Sequence, residues 1–280
     1  MIDQASTLRS LATARIHTQP GTHVRRWTIT SGKGGVGKSV IALNLALNLS
    51  YMGCRVLLVD ADENLGKLDV MLGVSPMYRV SDVMNGTATM DEALMNPYSN
   101  LFLLAGSSGS ANYSGITSKE QTSFIERVNR SEKHITDIIF DTGAGIHDGV
   151  IKYAAMAHNL VVVSNPEPVA ILDAYAAMKM TTLKNSYVSL HLIMNGRGSP
   201  SECDEAAAKL QTAVKHFLLS DMNYLGFVPH DETVTLSIMK QSPLAKSYPA
   251  SAAALCIQAI SRRLYKEHSM TTTQEQMVLV

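Results

Sequence analysis

One nine-residue turn constrains this chain more than any other stretch. Ser31-Gly32-Lys33-Gly34-Gly35-Val36-Gly37-Lys38-Ser39 fits G-x-x-x-x-G-K-[ST] from Gly32 to Ser39. The apolar run Trp27-Thr28-Ile29-Thr30 precedes it and reads as a strand, and Ile41-Ala42-Leu43-Asn44-Leu45-Ala46-Leu47 follows and reads as a helix. Strand, glycine turn and helix are the setting in which backbone N–H groups curl around phosphate oxygens at a positive helix end. The cradle would comprise Gly32, Lys33, Gly34, Gly35, Val36, Gly37, Lys38, Ser39 and Val40. Lys38 is expected to reach the β- and γ-phosphates of ATP, and Ser39 to hold Mg²⁺. A glycine-rich turn that binds nothing is the alternative, and both flanks argue against it.

Beyond the turn, short Val/Leu/Ile-rich runs alternate with helical patterns. Strands are expected at 27–31, 55–60, 101–105, 137–141, 160–164, 189–195 and 225–229. Helices are expected near 38–52, 117–131, 146–157, 168–184, 203–219, 233–240 and 249–267. Continuous apolar strands are buried on both faces, so the fold class is α/β: a doubly wound, mostly parallel sheet with helices on both faces. Ligands in such sheets bind beyond the strand C-termini, where Asp60, Asp141, Asn195 and Pro229 fall. Residues 23–268 read as the nucleotide-binding domain, 1–22 as an N-terminal segment with linker, and 269–280 as a flexible tail. Lys and Arg number 24 and so do Asp and Glu, so no global charge favours nucleic acid or an anionic membrane. Cys54, Cys203 and Cys256 form no C-x-x-C pair and suit a reducing cytoplasm.

Lys33 narrows the reading. Lys33-Gly34-Gly35-Val36-Gly37-Lys38-Ser39 resembles the deviant phosphate loop of the ParA/MinD ATPase family. That resemblance implies a MinD-like P-loop NTPase fold and an ATP-dependent homodimer, in which Lys33 crosses to the partner's nucleotide. It also implies that Asp62 orients the attacking water, which makes Lys33, Lys38 and Asp62 the catalytic set. Asp60 matches a group near the Mg²⁺ hydration shell, and Asp141, ending Ile138-Ile139-Phe140, resembles a Walker B carboxylate. An acidic group near the γ-phosphate can polarise water and hold the metal's own waters; a helix N-cap after a strand is the other reading of each aspartate. Thr142-Gly143-Ala144-Gly145 resembles the second switch. Asn195 matches an adenine-reading amide, Pro229 a residue of the loop that packs on the base, and His230 and Asp231 the nucleotide rim. A turn residue is the other reading of Asn195. Asn44 is expected at a dimer interface or as a buried hydrogen-bonding residue.

Three stretches resemble one branch of the family, the flagellar-number regulators FlhG, FleN and YlxH. Asp3-Gln4-Ala5-Ser6-Thr7-Leu8-Arg9 is similar to the element that activates the GTPase FlhF, with Asp3, Gln4, Ala5, Leu8 and Arg9 as its contacts. Asn64-Leu65-Gly66-Lys67-Leu68-Asp69-Val70-Met71-Leu72-Gly73 resembles the branch's G-L-A-N-x-D-x-x-L-G stretch, which follows the first switch at Asp60 and Asp62, with departures at Glu63, Asn64 and Lys67, the last standing where the branch has Asn. The run from Leu225 to Ala253 follows the branch's C-terminal pattern. The resemblance implies a slow regulatory ATPase controlling flagellar number and placement, with FlhF, switch-complex proteins and a flagellar transcription regulator as partners. A MinD-type division-site regulator and a ParA-type DNA partitioner are the rivals. The place implied is the cytoplasm, at the inner face of the membrane or the cell pole. Residues 250–267 read as a last core helix rather than a membrane-inserting one, and direct nucleic-acid binding is not expected.

Overall fold

β1 (Arg25–Ser31) runs through the middle of an eight-stranded sheet, and the turn just described leaves its C-terminal end. The computed structural model describes residues 24–62, 66–107, 116–117 and 119–278, beyond Lys266 by backbone alone. The other strands are β2 (Val56–Ala61), β3 (Met95–Tyr98), β4 (Leu101–Leu104), β5 (Asp137–Ala144), β6 (Asn159–Ser164), β7 (Ser189–Gly196) and β8 (Met222–Pro229). Their order is β3-β4-β2-β5-β1-β6-β7-β8, and every neighbouring pair is parallel except β3–β4.

The first helix among the described residues, α1 (Lys38–Tyr51), is buried at every position from Ile41 to Ser50. Its apolar character all round the axis requires that. Then come α2 (Leu68–Leu72), α3 (Val80–Asn85), α4 (Met90–Ala93), α5 (Glu120–Arg130), α6 (Asp148–Met156), α7 (Pro168–Lys184) and α8 (Pro200–Leu218). The chain closes with α9 (Glu232–Met239), α10 (Leu244–Ser247) and α11 (Ala252–Val278).

Alternate residues of one strand feed opposite layers, as the two-residue period of a strand demands. Val56 and Leu58 of β2 join Ile41, Leu45 and Leu49 of α1 and Ile257, Ile260 and Leu264 of α11. Leu57 and Val59 join Phe124 of α5 and Tyr153 of α6 on the other face. Farther along that face, Leu160, Val162 and Leu192 pack with Ala174 and Met178 of α7 and Leu210 and Val214 of α8. The doubly wound sheet is as expected from the sequence.

The differences are local. The antiparallel β3 and the short α2, α3, α4 and α10 were not expected. β5 runs three residues past Asp141, into the second glycine loop. The backbone of α11 reaches Val278, continuing where a tail was expected from 269, and no Gly or Pro interrupts that stretch. Ile257, Ile260 and Leu264 lie in the core, as a last core helix requires. Among the described residues no helix is long and apolar enough to cross a membrane.

Candidate nucleotide site

β1, β2 and β5 end on the same edge of the sheet, and their register aligns the acidic groups. Asp60 of β2 stands opposite Asp141 of β5, and Ile29 of β1 stands on Asp141's other side. Residues facing each other in register share a face, so the two carboxyl groups are brought together beside the turn after β1.

The turn holds the backbone conformation its glycines permit. Gly35 has φ 79° and Gly37, the N-cap of α1, has φ 84°. A Cβ on Gly37 would lie 2.2 Å from Asn195 Nδ2, so an amide from β7 closes the turn from above. That same nitrogen donates to the Val36 carbonyl at 2.7 Å. Asn195 therefore holds the phosphate loop through its amide nitrogen.

Lys38 opens α1 with its ammonium 2.5 Å from Asp141 Oδ1, and the two side chains are 7% and 1% exposed. Asp141 Oδ2 is buried with no hydrogen-bond partner. Asp60 accepts from the backbone N–H groups of Lys67 at 2.7 Å, Leu68 at 3.0 Å and Asp62 at 3.3 Å. Its carboxyl is nevertheless pushed up to about 7, first by burial and then by the neighbouring Asp141. Asp60 thus joins both readings, holding the start of α2 while standing beside Asp141. A buried carboxylate oxygen without a partner, next to a second carboxyl group disfavoured as an anion, suits a divalent cation. Mg²⁺ would fit here: Asp60, Asp141 and Ser39, in the first turn of α1, are the residues that would hold it, and it would supply positive charge beside the phosphates.

Asp62 is buried beside this pair. Its Oδ2 is 3.6 Å from Lys67 Nζ, and its Oδ1 lies 3.4 Å from the point a Gly143 Cβ would occupy. His147 Nε2 lies 3.3 Å from the same point. The first and second glycine-switch regions therefore meet at Gly143, and Gly145 N donates back to Ser31 O at 2.8 Å.

Lys33 points the other way. Its ammonium binds Glu167, the residue before α7, at 2.8 Å, and Arg197 approaches the same carboxylate at 3.7 Å. The Lys33 contact holds the Glu167 carboxyl below its usual range. Lys33 is 48% exposed, so the two lysines of one turn face different surroundings.

Not every expected residue converges. Pro229 does, standing opposite Gly196 in the β7–β8 register, with His230 N bonded to Gly196 O at 3.1 Å. Asp231 is occupied elsewhere: its Oδ1 caps α9 through Thr233 N at 3.0 Å, and its Oδ2 takes Ala253 N of α11 at 3.1 Å. Asn44 is buried and bridges Val40 O to Ala245 N, which ties α1 to α10 and answers its two readings in favour of the interior. Asp3, Gln4, Ala5, Leu8 and Arg9 lie outside the described residues, as do Glu63 and Asn64. Glu167, Arg197 and His147 were not singled out in the sequence, where nothing marks them as neighbours of the turn.

The ParA family profile, described as NUBPL iron-transfer P-loop NTPase, matches residues 24–265. Antiactivator FleN of Pseudomonas aeruginosa is 30% identical over 236 residues, covering 84% of each chain. The flagellum site-determining protein YlxH of Helicobacter pylori is 32% identical over 222 residues, covering 79% of this chain and 75% of that one. Among solved structures, the septum site-determining protein MinD of Pyrococcus horikoshii, complexed with Mg-ADP, superposes with a TM-score of 0.74. It has 24% identity over 89% of this chain and 98% of the other, which bears on the fold. The profile's span and the FleN match over most of both chains place this chain in the ParA/MinD family of P-loop ATPases.

Proposed function

We propose that this chain is an ATP-dependent dimerising switch that sets flagellar number and placement. The observation that carries the proposal is the division of labour within one turn. Lys38 is buried on the Walker-type carboxylate, while Lys33 stands exposed at the rim and is held by Glu167. When ATP and Mg²⁺ bind, Lys38 exchanges Asp141 for phosphate oxygens, and Lys33 leaves Glu167 for the partner's nucleotide. Mg²⁺ supplies charge neutralisation at the phosphates. Asp62, at the meeting point of the two switches, orients the water whose attack resets the monomer. Binding is charge pairing at a turn built for phosphate, and hydrolysis is a matter of position, so slow turnover suits a timing device.

The flagellar assignment is supported by the likeness to FleN and YlxH and by the Asp3–Arg9 stretch. In this reading the N-terminal segment activates FlhF, and the dimer engages switch-complex proteins and a flagellar transcription regulator, in the cytoplasm near the membrane or pole. A peptide of residues 1–20 should accelerate GTP hydrolysis by FlhF, and an unchanged rate would remove the flagellar branch while leaving the ATPase. The rival is a division-site regulator, since a putative septum site-determining protein MinD of Chlorella vulgaris is 32% identical over 240 residues. The same FlhF assay separates the two.

A further inference from the structure

We propose that Lys67 is a positioning residue for hydrolysis, turning the Asp62 carboxylate so that one oxygen faces the second switch. This rests on the reading of Asp62 as the group that orients the attacking water.

Two contacts come from this one residue. Its backbone N–H donates to Asp60 Oδ2 at 2.7 Å, and its ammonium sits 3.6 Å from Asp62 Oδ2. The loop entering α2 therefore registers both aspartates that leave β2. Asp62 Oδ1 is the oxygen near Gly143, 3.4 Å from where a Cβ would be. A cation on one carboxylate oxygen biases which oxygen is left to face the opposite side. Here the opposite side is the Gly143 backbone, at the end of the strand that carries Asp141.

The strength of the effect follows from the geometry. The Lys67 side chain is 49% exposed and the separation exceeds that of a tight charge-assisted hydrogen bond. Such a pair turns a side chain without binding it firmly. Phosphoryl transfer depends on placement of the water more than on the basicity of the group holding it. Losing this contact shifts Asp62 Oδ1 relative to Gly143, which lowers kcat and leaves ATP binding alone.

The test uses the full-length chain and steady-state ATP hydrolysis. Lys67→Met should lower kcat by up to about fivefold, the range of a half-exposed ion pair, with KM for ATP unchanged. Lys67→Arg should restore most of the rate. Lys67→Met added to Asp62→Asn should slow that variant no further, because both changes act through one carboxylate. Melting temperatures of all variants show whether the fold is retained. A Lys67→Met kcat equal to or above wild type would overturn the proposal, as would a raised KM or an added loss on the Asp62→Asn background. If Asp62→Asn itself hydrolyses ATP at the wild-type rate, the reading of Asp62 fails. If Asp62→Asn is slow and Lys67→Met is not, only the role of Lys67 fails.

Discussion

Replacing Lys38 by Met should destabilise the nucleotide-free protein as well as abolish ATP binding. In the free chain the Lys38 ammonium lies 2.5 Å from Asp141 Oδ1, and both side chains are almost wholly buried. Met fills similar volume, so the change removes charge and leaves Asp141 buried next to Asp60 without its cation. Breaking one side of a buried pair costs about 3–5 kcal/mol. The expected loss is therefore about 3–5 kcal/mol, or a melting temperature lower by roughly 6–20 °C for a chain of this size. Asp141→Asn alone should also destabilise, since it leaves the ammonium buried against a neutral amide. The double variant Lys38→Met/Asp141→Asn should be more stable than the two single losses sum to, because no unpaired charge remains. Urea unfolding of the four proteins at pH 7 without nucleotide measures the cycle. Single variants as stable as wild type, or losses that simply add, would refute the claim that this pair is buried and tight.

Three further outcomes follow from the geometry. Gly37→Ala should abolish nucleotide binding in a fluorescent-ATP titration, because φ 84° is strained for alanine and its Cβ would meet Asn195 at 2.2 Å. His191, buried in β7 with its Nε2 3.1 Å from Asn159 Oδ1, is pushed down to about 4 by burial, so the unfolded chain gains a proton between pH 6.5 and 4 that the folded one resists. Stability should fall as pH drops through that window, by up to about 3 kcal/mol from this group. Asp60, raised to about 7, acts with the opposite sign between pH 7 and 4, so the measurement is the difference in pH slope between wild type and His191→Leu, which should lose the His191 share. Glu167→Gln should free Lys33 and lower the ATP concentration needed for dimerisation, as read by light scattering; an unchanged midpoint would mean that Glu167 does not hold Lys33 back.

The sequence made the centre of this fold legible and its margins less so. β1, the glycine turn and α1 were readable because each obeys a local rule: an apolar run, a fixed glycine spacing and an apolar helix. The buried parallel strands were readable for the same reason. β3 was hidden by its length and by Pro97, and the Thr89–Glu92 capping box that opens α4 was a local signal left unread. Asp231 was drawn to the nucleotide by resemblance, whereas its contact with Thr233 two residues on is the ordinary chemistry of an N-cap. Glu167 beside Lys33 was out of reach of local rules. Those residues are 134 apart, and only the β1–β6 pairing brings the start of α7 to the turn. The direction in which Asn195 spends its amide is likewise a tertiary fact.

Light scattering of the purified chain with Mg²⁺ and a slowly hydrolysed ATP analogue tests the two-lysine switch most directly. Wild type should run at twice the mass of one chain, while Lys33→Ala and Lys38→Ala remain single, the first with nucleotide bound and the second without. A wild-type chain that stays single with the analogue bound, or a Lys33→Ala chain that pairs as readily as wild type, would contradict it.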